Sequence, residues 1–321
     1  MIKFQHCLIH KTIWLCLFFI LSHVAVGQIH QDKEEVFLIV LGTVQDAGSP
    51  HIACKKLCCE NLFDMPDPAR KVTSLGLIDQ KNSKKFLFEA TPDMPAQMKV
   101  LYGYGEELAN EVPDGIFLTH AHIGHYTGLM YLGLEAMNAK AVITYAMPRM
   151  KTFLEQQGPW SQLVSMNNIA VRSIKENETI ILSDKMQVKP IVVPHRDEYS
   201  ETVGYIIQGP VKSALFVPDI DKWEKWDLDI IQQIKEVDYA FLDATFFDGE
   251  EINNRDISEI PHPFVVESMQ KFEVLNPEER NKVIFIHMNH TNPLLNPKSK
   301  ASKTVIEKGF RIAKFMDIYK L

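Results

Sequence analysis

Three histidines within six residues are the side chains best suited to chemistry in this sequence: His120, His122 and His125. His120 and His122 are two residues apart, so in an extended backbone both imidazoles point to the same side. His125 follows Gly124, where the chain can bend back towards the first two rings. Two neutral imidazoles on one side can chelate a Zn²⁺ ion. The segment therefore predicts a metal site, because the alternative of a hydrogen-bonded core histidine explains one such residue but not three.

Further polar residues stand at the ends of apolar segments later in the chain. His195 ends IVVPH, Asp219 ends LFVPD and His287 ends VIFIH. Short apolar segments of this kind are typical of buried strands, so these residues are expected along one edge of a sheet core. Asp243 ends AFLD in the same way, and we expect its carboxylate to orient a ligand histidine.

These residues and their order resemble the metallo-β-lactamase superfamily. THAHIGHYTGL is similar to its H-x-H-x-D-H motif, and His195, Asp219 and His287 follow in the family order. Within the superfamily, the segments LGTVQDAGSPHIACKKLCC, EATPDMPAQ, FLDATFFDGEE and HMNHTNPLL are most similar to the coenzyme PQQ biosynthesis protein B family and its phosphodiesterase-like relatives. The resemblance covers essentially the whole chain after the N-terminal segment. It implies an α/β fold of a single domain, the αββα sandwich, with metals at one edge.

The resemblance also implies a role for each residue. It implies that three histidines hold the first metal: His120, His122 and His195. Asp219 would bridge two metals, and His125 and His287 would belong to the second site or lie beside it.

One position departs from the motif. Gly124 replaces the aspartate before the last motif histidine, which removes a carboxylate ligand and should weaken or abolish the second metal site. His290, three residues after His287, could take the vacant position or donate a proton, and a loop histidine bound to backbone is the alternative. Known members of the biosynthetic family commonly lack the full set of motif histidines, so the site here resembles that of a hydrolase.

A metal held by three histidines keeps a position open for water and lowers the pKa of that water towards ~7. Asp219 is suited to orient the water and accept its proton, and His290 or His287 to protonate the leaving group. The sequence therefore predicts a zinc-dependent hydrolase, with one or two catalytic ions, acting on a small phosphodiester, lactone or lactam. Iron and manganese stay open as metals. Two other functions also stay open: an iron-dependent oxygenase like the biosynthetic family, and a metal-binding protein without turnover.

Three clustered cysteines precede the histidines: Cys54, Cys58 and Cys59. Their odd number excludes a complete disulfide framework. The resemblance implies a structural zinc in this segment, for which His51 or His262 could supply a fourth ligand. One disulfide plus a buried thiol is the alternative that an oxidising compartment favours.

Apolar segments and turn residues predict the elements that position these side chains. The predicted strands are 35–43, 72–79, 85–90, 115–119, 141–145, 186–194, 202–208, 213–217, 239–244 and 283–287, with 310–319 strand-like. The predicted helices are 94–104, 126–137, one from about 148, and 229–236. Strands with helices interspersed in both halves favour a pair of sheets covered by helices.

Residues 1–27 have the pattern of a secretory signal peptide. Lys3 and Lys11 precede or border an almost wholly apolar stretch, 12–26, and small residues lie before the expected cleavage after Gly27. The pattern predicts a periplasmic or secreted protein of residues 28–321, without stable membrane insertion. An uncleaved anchor is the alternative, although the apolar stretch falls short of the ~20 residues that span a bilayer.

Composition sets the remaining bounds. With 46% hydrophobic residues among 321, the chain can bury one large core, and no linker divides it. The net charge of −7, from 34 basic and 41 acidic residues, gives no basic excess for nucleic acid. A small-molecule substrate is therefore expected, while the oligomeric state is open.

Overall fold

The strands that precede the predicted metal ligands belong to two β-sheets. The computed structural model describes residues 36–104, 111–252 and 256–321, so the signal-peptide prediction lies outside the described residues. Within these ranges each sheet has seven strands. The first sheet has the spatial order β14 (Ile318–Lys320), β1 (Val36–Gly42), β2 (Ser74–Asp79), β3 (Lys84–Phe88), β4 (Gly115–Phe117), β5 (Val142–Ala146) and β6 (Ile169–Ser173).

The second sheet has the same number of strands among the described residues. Its spatial order is β13 (Arg311–Ile312), β12 (Val283–Ile286), β11 (Tyr239–Asp243), β10 (Ser213–Val217), β9 (Val203–Gln208), β8 (Gln187–Val192) and β7 (Ile180–Ile181). Each sheet is mixed. Pairing is parallel from β3 to β6 and from β10 to β13, and antiparallel elsewhere.

The inner faces of the two sheets pack on each other through large apolar side chains. Phe88 of β3 lies 5.0 Å from Phe117 of β4 between ring centroids, and 5.5 Å and 6.1 Å from Tyr205 and Phe216 of the second sheet. All four are fully buried. Burying one such side chain stabilises the fold by roughly 1.5–3 kcal/mol, so this interface is a main reason why the two sheets keep a fixed relative position.

Helices cover the outer faces. The described helices are α1 (Met94–Tyr102), α2 (Ile123–Tyr126), α3 (Pro148–Gln156), α4 (Trp160–Ser165), α5 (Ile230–Lys235), α6 (Val265–Lys271), α7 (Pro277–Arg280) and α8 (Lys300–Glu307). Met94 and Leu154, from α1 and α3, pack against the first sheet. Ile234 and Met269, from α5 and α6, pack against the second. The architecture is the predicted αββα sandwich.

The structure differs from the sequence prediction in several elements. The predicted helix 126–137 is one turn of α-helix followed by a 3₁₀ helix, Thr127–Leu132. Gly128 lies so close to the neighbouring backbone that a Cβ there would be 2.2 Å from the carbonyl oxygen of Thr91. The strand-like segment 310–319 is two short strands, β13 and β14, which join different sheets. The strands β6 and β7 and the helices α4, α6, α7 and α8 were not predicted. Among the described residues, no helix is both long and apolar enough to cross a membrane.

Candidate metal centre

Strands from both sheets end at one edge, where the predicted site residues come together. His120 and His122 follow β4 in the first sheet. Asp219 and His287 follow β10 and β12 in the second sheet, and His195 lies in the turn after β8. Because ligands come from both sheets, the packing between the sheets sets the geometry of the site.

Four of these residues form a first group that could hold a metal ion. Its ligand atoms all lie within 4.8 Å of one another, and its members are His120, His122, His195 and Asp219. His120 Nε2 lies 2.8 Å from His122 Nδ1, and His195 Nε2 lies 3.3 Å from Asp219 Oδ2. The His195 side chain is fully buried, yet neither ring nitrogen has a hydrogen-bond partner in the described part of the chain. A buried imidazole without a partner is costly, and a bound cation would supply one.

A second group shares Asp219 with the first. Its members are Asp46, His125, Asp219 and His287, all buried, with ligand atoms again within 4.8 Å of one another. Asp46 Oδ1 lies 2.9 Å from His125 Nε2 and 3.1 Å from His287 Nε2. Asp219 Oδ2 lies 3.8 Å and 4.0 Å from the same two nitrogens. Donors of this kind, imidazole nitrogen and carboxylate oxygen, fit a divalent ion such as zinc.

The second ring nitrogen of His120, His122 and His125 is held by the protein. Thr119 Oγ1 lies 2.9 Å from His120 Nδ1, and Glu198 Oε2 lies 3.1 Å from His122 Nε2. Glu89 Oε1 lies 3.2 Å from the Nδ1 atom of His125 in the second group. Such contacts fix the ring orientation and leave the other nitrogen free to bind a metal.

Electrostatics at the first group favour the protonation states that a divalent ion requires. Burial lowers the pKa of His120 well below its ordinary value, and the charge of His125 lowers it further. Burial alone would raise the pKa of Asp219, but the surrounding histidines, His195 first, hold it well below the ordinary value. A neutral imidazole and an ionised carboxylate are the forms that bind metal.

The second group has a different balance of charge. Burial alone would lower the pKa of His125, but Asp46 and Glu89 raise it well above the ordinary value. Asp46 has a pKa well below its ordinary value, because His125 and His287 outweigh the effect of burial. A proton on His125 and a cation between the side chains are two alternative ways to balance these carboxylates, so protons and metal should compete here.

His262 lies beside the shared carboxylate and not beside the cysteines. Its Nδ1 is 2.9 Å from Asp243 Oδ2 and 3.2 Å from Asp219 Oδ1. Burial would lower the pKa of His262, but Asp243 and Asp219 raise it to about 10. Asp243 also accepts a hydrogen bond from Thr245 Oγ1, at 2.7 Å, and this hydroxyl lies 2.9 Å from His287 Nδ1. Asp243 thus supports a histidine of the second group, as expected, but through Thr245.

His290 lies with the cysteines and not with either histidine group. The four residues that could hold an ion there are Cys54, Cys58, Cys59 and His290, which we call the cysteine group. The Sγ atom of Cys58 is 3.9 Å from those of Cys54 and Cys59, and all three are free thiols. The fourth candidate ligand is therefore His290, in place of His51 or His262. Neither histidine group includes His290, and its role as a proton donor stays a prediction.

Asp46 and His262 are the site residues that the sequence analysis missed. The motif carboxylate absent at Gly124 has a spatial counterpart in Asp46, from the segment QDAGSP after β1. His262 stands alone in its segment and was considered only for the cysteines. The available signal for Asp46 was the resemblance of its segment, LGTVQDAGSPHIACKKLCC, to the family, whereas His262 lies outside the resembling segments.

A groove borders the centre. Its volume is about 730 Å³, and its walls include Tyr126, Arg149, Phe153, Trp160 and Tyr199. Glu198, which contacts His122, also lines it. No residue of the first group lines the groove, so Glu198 is the link between the groove and that group.

Comparison with known proteins agrees with this architecture. Residues 84–288 match the family described as the beta-lactamase superfamily domain. Coenzyme PQQ synthesis protein B of Pseudomonas fluorescens (strain Pf0-1) is 21% identical over 302 residues, covering 87% of this chain and 97% of that protein. The same protein of Nitrosococcus oceani is 24% identical over 304 residues, covering 85% of this chain and 96% of that one.

Solved structures show the same fold. The Zn²⁺-bound PqqB of Methylobacterium extorquens superposes with a TM-score of 0.73 at 18% identity, covering 89% of this chain and 100% of that one. A diphosphatase of the PhnP family superposes with a TM-score of 0.63 at 21% identity, covering 89% and 97%. The family match spans well over half of the chain and contains most of the site residues. The chain belongs to the beta-lactamase superfamily, with the metallo-β-lactamase fold and a relationship to PqqB.

Proposed function

We propose that the protein is a metal-dependent hydrolase of a small phosphodiester, with lactones and lactams as the other candidate substrates. One observation carries the proposal. Asp219 Oδ2 lies between 3.3 Å and 4.0 Å from the Nε2 atoms of four histidines, two in each group: His120, His195, His125 and His287. One carboxylate shared by two histidine groups is the ligand arrangement of two-metal hydrolytic sites.

The metal groups, Asp219 and the groove would each have a separate role in hydrolysis. Divalent ions bound in the two groups, zinc being the first expectation, would supply a Lewis acid for the phosphoryl oxygen and hydroxide at neutral pH. Asp219 would hold the two groups together and orient the attacking water. The neighbouring groove, with Arg149 and several aromatic rings in its walls, suits a substrate that combines a ring with negative charge. Its position beside Glu198 would place the scissile bond near His122.

His262 is the proton donor that this geometry favours, in place of His290 or His287. Two carboxylates contact its ring and raise its pKa, and Asp243, which belongs to neither histidine group, would keep it protonated as a general acid requires. Its side chain is 13% exposed, so the ring is not sealed from solvent.

Hydrolysis of chromogenic and alkyl phosphodiesters tests the proposal. With bis(p-nitrophenyl) phosphate, His122→Ala should lower kcat/KM by at least about 100-fold, because a metal ligand is lost. His262→Asn should matter far more for a methyl phosphodiester, whose poor leaving group needs a proton, than for the nitrophenyl ester; a loss of about 10²–10⁴ in kcat is expected. The exposed Lys303→Ala on α8 is the matched control.

Three results would contradict the proposal or redirect it. Hydrolysis that survives His122→Ala would mean that the centre is not responsible. Activity on a lactone or β-lactam but on no phosphodiester would change the substrate class. Iron rather than zinc in the purified protein, without hydrolysis, would favour the oxygenase alternative suggested by the PQQ-related sequences. Export to the periplasm or medium stays a prediction from residues 1–27.

A further inference from the structure

Asp46 enters the second group from a part of the chain that the superfamily motif does not include. Its Oδ1 atom lies 2.9 Å from His125 Nε2 and 3.1 Å from His287 Nε2, so one oxygen faces both histidines. The side chain is only 11% exposed. The carboxylate is therefore aimed into the site and is not a surface group.

Gly124 and Asp46 compete for one space. A Cβ atom on Gly124 would lie 2.5 Å from Asp46 Cα and 2.7 Å from Asp46 Oδ1. Contacts under 3.0 Å to a backbone atom require the backbone to move. The motif aspartate at position 124 and the observed Asp46 thus cannot coexist in this geometry.

The segment that carries Asp46 is fixed to the strand end that carries His287. The amide of Gln45 donates to the carbonyl of Met288 at 2.9 Å, and the amide of Met288 donates to the carbonyl of Thr43 at 2.8 Å. These bonds lie directly beside Asp46 on one side and His287 on the other. Asp46 is accordingly held at a defined distance from the histidines.

We propose that Asp46 replaces the missing motif carboxylate as a ligand of a second divalent cation, and that residue 124 is glycine to make room for it. The inference rests on the proposed metal-dependent function. It reverses the expectation from the motif alone that the second site is weakened or lost, because the carboxylate is supplied from a different segment.

Metal content and affinity test the proposal without reference to turnover. Each protein is stripped with chelator, reloaded with Zn²⁺ and analysed by elemental mass spectrometry. Asp46→Ala and His122→Ala should each lose one equivalent relative to the parent, and the double variant two. Asp46→Asn should weaken Zn²⁺ binding to that site by at least about tenfold. Glu60→Gln, an exposed change in the same loop, should leave the metal content unchanged.

Gly124→Ala is the second arm, since it removes no ligand. The added Cβ should displace Asp46 and lose the same equivalent as Asp46→Ala. The matched control is Gly158→Ala, where a Cβ would meet no atom within 4 Å. Thermal unfolding checks that each variant is folded.

Two outcomes would overturn the proposal. Asp46→Ala that binds as much Zn²⁺ as the parent, with the same affinity, would show that Asp46 is not a ligand. Loss of one and the same equivalent in Asp46→Ala, His122→Ala and the double variant would show a single shared ion. Full metal loading without phosphodiester hydrolysis would count against the proposed function but leave this inference standing.

Discussion

A hydrogen bond from Nδ1 to Thr245 sets which nitrogen of His287 carries a proton. Thr245 donates its hydroxyl hydrogen to Asp243, so its oxygen can only accept from His287 Nδ1. In the neutral ring, the lone pair then lies on His287 Nε2, which faces Asp46 at 3.1 Å. The second group is therefore prepared for a cation by a chain of hydrogen bonds that begins on β11.

The pKa of Glu251 makes the stability of the protein depend on pH. Burial raises its pKa to about 7, although Thr291 donates to its Oε2 at 2.6 Å. Because the folded pKa lies above the unfolded value of about 4.3, the folded state holds a proton that the unfolded state releases as the pH rises. The stabilisation is full below about pH 4.3 and is lost as the pH rises through about 7.

We expect Glu251→Gln to flatten that dependence. The amide keeps an acceptor for the backbone of Phe247 and cannot ionise. Urea unfolding of parent and variant at several values between pH 5 and 8 measures the effect, with the exposed Glu60→Gln as control. A parallel decline of both proteins over this range would show that Glu251 is not the group responsible.

At the residue scale, the site could be predicted where a ligand ends its own apolar strand. His195, Asp219 and His287 have this signature. Asp46 does not. It fits into the site only because residue 124 has no Cβ atom, and residue 124 lies far along the chain. His290 was predicted near the centre from its spacing to His287, but the chain turns after Met288 and carries the ring to the cysteines.

Strands could be predicted from the sequence where their residues are almost all apolar. β1, β10 and β11 are buried along almost their whole length, and their sequences show this directly. The C-terminal segment could not be read in this way, because β13 and β14 are too short to show a period and join different sheets. β6 was missed because its last residues are exposed and polar.

The loop between β1 and β2 connects two candidate metal sites. It carries Asp46 to the second group and the three thiols to the cysteine group. His290 completes the cysteine group from the segment after β12, which also carries His287. An ion in the cysteine group would therefore attach this loop at a second point to the segment after β12.

We expect Cys58→Ser to lose one metal equivalent and to lower Tm by at least about 5 °C, because a structural ion contributes directly to folding. The affinity of the second group for Zn²⁺ should fall as well, since the loop that holds Asp46 is released, while the first group should be unaffected. Competition with a chromogenic chelator measures each affinity. Unchanged metal content in Cys58→Ser would leave the cysteines without a metal role.

On the scale of the whole molecule, the centre joins the two sheets. The first sheet supplies His120, His122 and His125, and the second supplies Asp219 and His287. Behind the site, Tyr205 of the second sheet donates its hydroxyl to the carbonyl of Leu118, two residues before His120. The sandwich as a whole was predictable from the alternation of strands and helices and from the family motif. The side-chain packing that aligns the two sheets could not be predicted from the sequence.

Metal removal should therefore destabilise the entire fold and not only the site. A ligand that binds only the folded state adds about 2.7 kcal/mol to the free energy of unfolding at 100 times its Kd. We expect Zn²⁺ to raise Tm of the chelator-stripped protein and to raise it less in His122→Ala, which has lost a ligand of the first group. Mg²⁺, which prefers oxygen ligands, should have little effect. Differential scanning calorimetry checks this; an equal Tm with and without Zn²⁺, when mass spectrometry shows that the ion is bound, would mean that the ions do not connect the sheets energetically.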